Sequence, residues 1–99
     1  MFTQINNNNV KVTKISLEPN QDTGVHLHKL DYIIVPITDG KLKLIDGNNK
    51  ETFSTLKAGE TYFRSAGVKH NVINVGAKLV VFIEIELKNE YIKNYKNLK

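Results

Sequence analysis

Two histidines, His26 and His28, stand two residues apart in the stretch VHLHKLDYIIVPITDG, and the third histidine of the chain, His70, stands in AGVKHNVIN. In an extended strand alternate side chains share a face, so His26 and His28 project together. Two like-facing imidazoles can share a metal ion. The same alternation also arises when two polar residues lie on the wet face of a half-buried strand. The chain contains no cysteine. That excludes thiolate zinc sites, iron–sulfur clusters and a disulfide framework, and leaves nitrogen and oxygen as the donors for any metal.

The segments around these histidines read as β-structure. VKVTKISL is rich in β-branched residues, and the turn formers of EPNQDTG follow it. VHLH and LDYIIVPI are strand material closed by TDG. KLKLI alternates, with Leu42 and Leu44 on one face and Lys41 and Lys43 on the other, and DGNN turns it into KETFSTL as a hairpin. TYFR, NVINV and LVVFIEIEL complete a set of short strands separated by turn signals, which predicts an all-β sandwich or barrel. QINNNNV is expected to be a loose or edge-forming arm over residues 1–9. The tail, residues 89–99, places Tyr91, Tyr95 and Leu98 at helical spacing and is expected to be a short helix or tail. One domain over residues 1–99, with its core within about residues 10–88, accounts for the whole pattern.

Taken together, the two histidine segments resemble the motifs of the cupins, small jelly-roll β-barrels. The second cupin motif, G-x5-P-x-G-x2-H-x3-N, is matched by Gly59, Gly67, His70 and Asn74, with Ser65 where proline is usual. The first, G-x5-H-x-H-x3–4-E-x6-G, is matched by His26, His28 and Gly40, with Asn20 in place of its opening glycine. Counting back from Gly40 puts the family's glutamate at Ile33, so the carboxylate ligand is missing from its usual place. The resemblance spans roughly residues 10 to 88 and implies a jelly-roll barrel in which His26, His28 and His70 bind one divalent transition metal. Three neutral imidazoles with at most one carboxylate suit iron, manganese, nickel, copper or zinc, and leave a position open for water or substrate. Asp31 is the obvious substitute carboxylate, as a ligand or the partner of one, with a surface or turn-linked aspartate as the alternative. Its odd separation from His28 requires a bulge between them.

Three other groups invite a chemical reading. Tyr62 and Arg64 share one strand face, and Thr61 and Phe63 share the other. If the first pair looks inward, Arg64 can clamp a carboxylate beside the metal and Tyr62 can donate a proton, so both are candidate catalytic residues. If it looks outward, Phe63 fills the core instead. In LVVFIEIEL the odd positions form a wholly apolar face, so Glu84 is expected on the solvated side, with an interior general acid or base, its pKa raised by burial, as the alternative. Asn74 is read as a turn or ladder-end residue.

The charge balance bounds the partners. The formal charge is +4, but the lysines are scattered and Arg64 is the single arginine. Base readout and phosphate tracking need arginine forks and clusters, so no nucleic-acid partner is expected. No run of about 18 apolar residues suggests a membrane span, and the expected location is the cytoplasm. DYIIVPI is apolar on both faces. One face fills a barrel and the other needs a cover, which predicts a homodimer, with the N-terminal arm or the tail as the alternative cover. The expected function is a metal-binding cupin that binds or acts on a small, anionic metabolite. As an enzyme it would be an oxygenase, isomerase or lyase acting on a small carboxylic acid. The alternative is a non-catalytic cupin serving as a ligand sensor or accessory subunit. The resemblance is strongest to short stand-alone bacterial cupins, some of them named for β-alanine degradation.

Overall fold

The computed structural model describes residues 1–88, and the expected helical tail lies outside them. Nine strands form two sheets: β1 (Phe2–Asn6), β2 (Val10–Leu17), β3 (His26–Leu27), β4 (Tyr32–Pro36), β5 (Gly40–Asp46), β6 (Glu51–Leu56), β7 (Tyr62–Arg64), β8 (Lys69–Asn74) and β9 (Val80–Leu87). One sheet has the order β1-β2-β9-β4-β7 and the other the order β3-β8-β5-β6. All named pairings are antiparallel. The architecture is the expected all-β jelly roll, and no described residue is helical.

Turn chemistry follows from the residues present. Gly67 takes φ 99° and Asn20 takes φ 69°. Asparagine is one of the few side-chain-bearing residues that accepts this left-handed region, so Asn20 can replace the motif's opening glycine. The arm at the N-terminus forms an edge strand, with Phe2 opposite Lys14 and Ile5 opposite Val12. Asp46 Oδ1 accepts the backbone N–H groups of Asn48 and Lys50 and fixes the β5–β6 hairpin.

The core lies between the two sheets. Ile15, Leu17, Tyr32, Ile34, Leu42, Leu56, Val72, Val80 and Phe82 are buried and mutually packed. Asn74 is fully buried at the end of its ladder. Its Nδ2 donates to Leu17 O and Lys78 O, and its Oδ1 accepts Gly76 N–H, so it staples two turns as a ladder-end residue should.

Two strands place their faces differently from expectation. On β9 the inward set is Val80, Phe82 and Glu84, and the all-apolar set Val81, Ile83, Ile85 and Leu87 is only half-buried. Glu84 is therefore inside at 7% exposure, not on the solvated side. Cross-strand register decides this: Glu84 lies opposite Ile34, and Phe82 opposite Ile15, both core residues. On β4 the inward set is Tyr32, Ile34 and Pro36, so Ile33 looks outward. The inward residue at the family's glutamate place is Tyr32, which fits the shorter, three-residue spacing after His28.

Candidate metal and ligand site

The three histidines converge inside the barrel. His26 and His70 face each other across the β3–β8 ladder. His28 follows β3 directly, and its backbone is clamped to the glycine turn before β8: His28 N–H donates to Val68 O at 2.8 Å, and Gly67 N–H donates to His28 O at 2.7 Å. The turn residue Gly67 thus places His28 and leads into the strand that carries His70.

His26 Nε2 lies 2.9 Å from His28 Nε2, and His28 Nε2 lies 3.1 Å from His70 Nε2. The opposite nitrogens are tied outward. His26 Nδ1 donates to the Gly24 carbonyl at 2.9 Å, and His28 Nδ1 donates to Glu84 Oε1 at 3.1 Å. A carbonyl only accepts, so the proton of neutral His26 sits on Nδ1. Each of these two rings then turns a bare lone pair inward. Two lone pairs facing each other at 2.9 Å repel unless a cation lies between them. Nitrogens about 2.0–2.1 Å from a shared ion, at a right angle, lie about 3 Å apart, so the donor set fits a divalent metal. His26, His28 and His70 are the group among the described residues whose ligand atoms, all within 4.8 Å of one another, could hold such an ion.

Burial sets the electrostatics. It pulls His28 down to about 4, aided by His26 and His70, and it pulls His70 down to about 4, aided by His26 and Arg64. Both rings are neutral at physiological pH, which is the state a metal ligand needs. Burial, with Glu86 nearby and Lys11 opposing, pushes Glu84 up to about 7. As a carboxylate, Glu84 Oε1 accepts the His28 Nδ1 proton and leaves the His28 lone pair on Nε2. The Tyr32 ring stacks on His28, with centroids 4.0 Å apart, and burial and Glu84 push its phenol up to about 12.

Tyr62 and Arg64 lie on the inward face of β7, while Phe63 is 45% exposed on the other side. The Arg64 guanidinium sits over the Tyr62 ring, 4.6 Å from its centroid. Burial raises the Tyr62 phenol above its ordinary value. Both side chains line the same cavity as the histidines, together with Tyr32 and Glu84.

Asp31 is not brought to the histidines. Its Oδ1 accepts Ala66 N–H at 2.8 Å, which fixes the loop between β7 and β8. Asp31 lies in the connection between β3 and β4, directly before the inward Tyr32, and its carboxylate is committed to that loop amide. The interior carboxylate is instead Glu84, from the far end of the sequence. Its signal was a lone carboxylate ending the set Val80, Phe82, Glu84, in a chain whose first motif lacks its own glutamate.

Comparison with known proteins agrees with this geometry. The family model described as "Cupin domain" matches residues 13–86. A protein of Pseudomonas aeruginosa named "Beta-alanine degradation protein BauB" is 47% identical over 85 residues, covering 86% of this chain and 88% of its own. The crystal structure of a cupin domain from Bordetella pertussis is 44% identical with TM-score 0.82, over 87% of this chain and 88% of that one. A cupin-family protein of Methanocaldococcus jannaschii shares the fold at 16% identity, with TM-score 0.74 over 94% of this chain and 83% of that one. With the barrel, the two motif turns and the converging histidines in place, the chain belongs to the cupin family.

Proposed function

We propose that this protein is a metal-dependent small cupin of the cytoplasm that binds or transforms a small anionic metabolite, with His26, His28 and His70 as the metal ligands. The observation that carries this reading is the pair of inward Nε2 contacts at 2.9 and 3.1 Å, with the Nδ1 protons of His26 and His28 committed to Gly24 O and Glu84. A bound iron, manganese, nickel, copper or zinc ion would supply Lewis acidity, or redox chemistry where the metal permits it. The chain's own contributions are separate. Glu84 orients the His28 ring, Arg64 supplies fixed positive charge at the cavity, and Tyr32 and Tyr62 stay protonated and can donate hydrogen bonds. The name of the P. aeruginosa relative supports a short amino or carboxylic acid as the metabolite.

Metal analysis of protein purified without chelator, combined with a panel of small carboxylic acids assayed for turnover, tests the proposal. It expects about one transition metal per chain, and loss of that metal in His70→Ala with the fold retained. Equal metal content in His70→Ala and parent would remove the site assignment.

A second reading has its own support. The cavity between the three imidazoles and the core is about 30 Å³, enough for an ion and a water and little more. A sensor or accessory subunit needs no room for a substrate beside the metal. Metal or acid binding with no turnover across the panel would favour it.

The assembly we propose is a homodimer through the outer face of the five-stranded sheet. Ile33 and Val35 on β4 lie beside Ile85 and Ile83 on β9, and Val12 on β2 pairs with Ile85. This stripe is apolar across three neighbouring strands, and a second copy is the partner it suits.

A further inference from the structure

Two chambers flank the histidine cluster, each of about 360 Å³, and they share no lining residue. One is lined in part by Leu44, Asp46, Thr52, Arg64, Val68 and His70. The other is lined in part by Lys11, Thr13, His26, His28, Glu84 and Glu86. The cavity of about 30 Å³ borders both, sharing Leu44, Arg64 and His70 with the first and His26, His28 and Glu84 with the second, and it has room for little more than a water or two, so a larger ligand is placed in one chamber or the other.

Their cations are partnered differently. In the second chamber, which Met1 also lines, Lys11 stands opposite Glu86 in the β2–β9 register, so the lysine has a carboxylate partner across the ladder. In the first chamber the cation has no such partner. Neither ion pair among the described residues involves Arg64. Its Nη1 makes a long 3.4 Å contact to the carbonyl of its neighbour Phe63, and its central carbon lies over the Tyr62 ring. With no ion pair and one long contact, the fork's remaining donors are available for bidentate recognition of a carboxylate. The nearby carboxylate, Asp46, has its Oδ1 engaged by two backbone N–H groups of its own turn.

We infer that the Arg64 chamber is the seat of a short monocarboxylate, with the carboxylate on the Arg64 fork and the carbon chain against Leu44 and Val68, directed toward His70. The inference rests on the anionic-metabolite reading and adds which side the ligand takes and which group it must carry. The chamber lies near the lower limit of ligand pockets, so it selects acids of a few carbons. On the other side Glu86 stands opposite Lys11, which makes that cation a poorer seat for an anion.

Propionate and its neutral isostere propionamide separate the possibilities. Zinc-loaded parent protein, Arg64→Gln, Arg64→Lys and Lys11→Gln would be titrated with each while backbone amide resonances are followed. Propionate should shift the Leu44, Thr52 and Val68 amides of the parent. Its affinity should fall about tenfold or more in Arg64→Gln, less in Arg64→Lys, and stay within about twofold in Lys11→Gln. Propionamide should bind the parent about tenfold more weakly than propionate. Propionate binding that survives Arg64→Gln and is lost in Lys11→Gln would overturn the chamber assignment and leave the anionic reading standing. Propionate no better than propionamide on the parent would overturn both.

Discussion

Strands β5 and β9 each run through the middle of their own sheet, and their outer faces are opposites. Leu42 and Leu44 of β5 point into the barrel, while Lys41 and Lys43 point to solvent. There Lys43 pairs with Glu51 at 3.8 Å and Lys41 lies over Phe53, 5.3 Å from the ring centroid. On β9 Val80, Phe82 and Glu84 point inward, and Val81, Ile83, Ile85 and Leu87 point outward. The sheet built on β5 is finished for water. On β9 both faces are largely apolar and Glu84 is turned inside, where it meets His28, while Lys14 of β2 lies beside Ile83 on the outer face. The difference separates two uses of alternation: on β5 it marks inside from outside, and on β9 it marks two burial surfaces, one for the core and one for a partner.

Truncating the inner face tests the first of these uses and carries the largest effect. Phe82 is 4% exposed in the shared core, so Phe82→Ala should cost about 3–5 kcal/mol, and Leu42→Ala on the other sheet about 2–5 kcal/mol. Both should be visible as lower denaturant midpoints with unchanged slope. An Ile85→Ala loss as large as that of Phe82→Ala at concentrations where the protein is monomeric would mean that the outer face is packed within a single chain, and would break the comparison.

The outer faces differ next in what a charge does there. Ile85→Lys should weaken self-association by about a hundredfold, because a desolvated, unpaired ammonium at an apolar interface costs several kcal/mol. Lys43→Glu, an equally drastic change on the solvated face, should leave association unchanged. Sedimentation or light scattering across micromolar concentrations reads both. A stable interface buries about 1,200–2,000 Å² in total. A parent protein that is monomeric throughout this range would remove the second copy as the cover of the stripe and return that role to other parts of the chain.

The same contrast explains what could be read from the residues alone. The jelly roll and the histidine cluster were legible because both depend on local pattern: short alternating strands, turn residues at Asn20, Gly59 and Gly67, and two motifs with fixed spacing. The sides taken by β4 and β9 were not. Alternation tells which residues share a face, and only the polarity difference between faces tells which face is inside. DYIIVPI has no such difference, so Tyr32 and Ile33 were equally plausible inward residues. In LVVFIEIEL the polarity difference pointed the wrong way, because the glutamate is buried with a histidine partner that lies 56 positions earlier. A contact of that kind is fixed by cross-strand register, which a single strand does not encode. Asp31 shows the converse: a carboxylate near the histidines in sequence was needed by a loop amide instead.

The smallest effect concerns the charge that β9 carries inward, and it appears in the pH dependence of stability of metal-free protein. His28 and His70 have folded values near 4 against 6.5 in the unfolded chain. Between these limits the unfolded state binds more protons, so their contribution is present above 6.5 and is lost as pH falls toward 4. Glu84 has a folded value near 7 against 4.5 unfolded. Between those limits the folded state holds the extra proton, so its contribution is present below 4.5 and is lost as pH rises through 7. From 4.5 to 6.5 the two histidines outweigh the one glutamate by a single proton, and stability should rise by about 1.4 kcal/mol per pH unit. From 6.5 to 7 the glutamate acts alone, and stability should fall slightly, leaving a maximum near 6.5. Glu84→Gln should abolish the fall above 6.5 and steepen the rise below it toward two protons. Denaturant titrations at fixed pH measure both slopes. A parent protein whose stability is flat from 4.5 to 6.5 would show that burial does not hold these two imidazoles neutral, and the inward lone pairs on which the metal site depends would then be protonated ones.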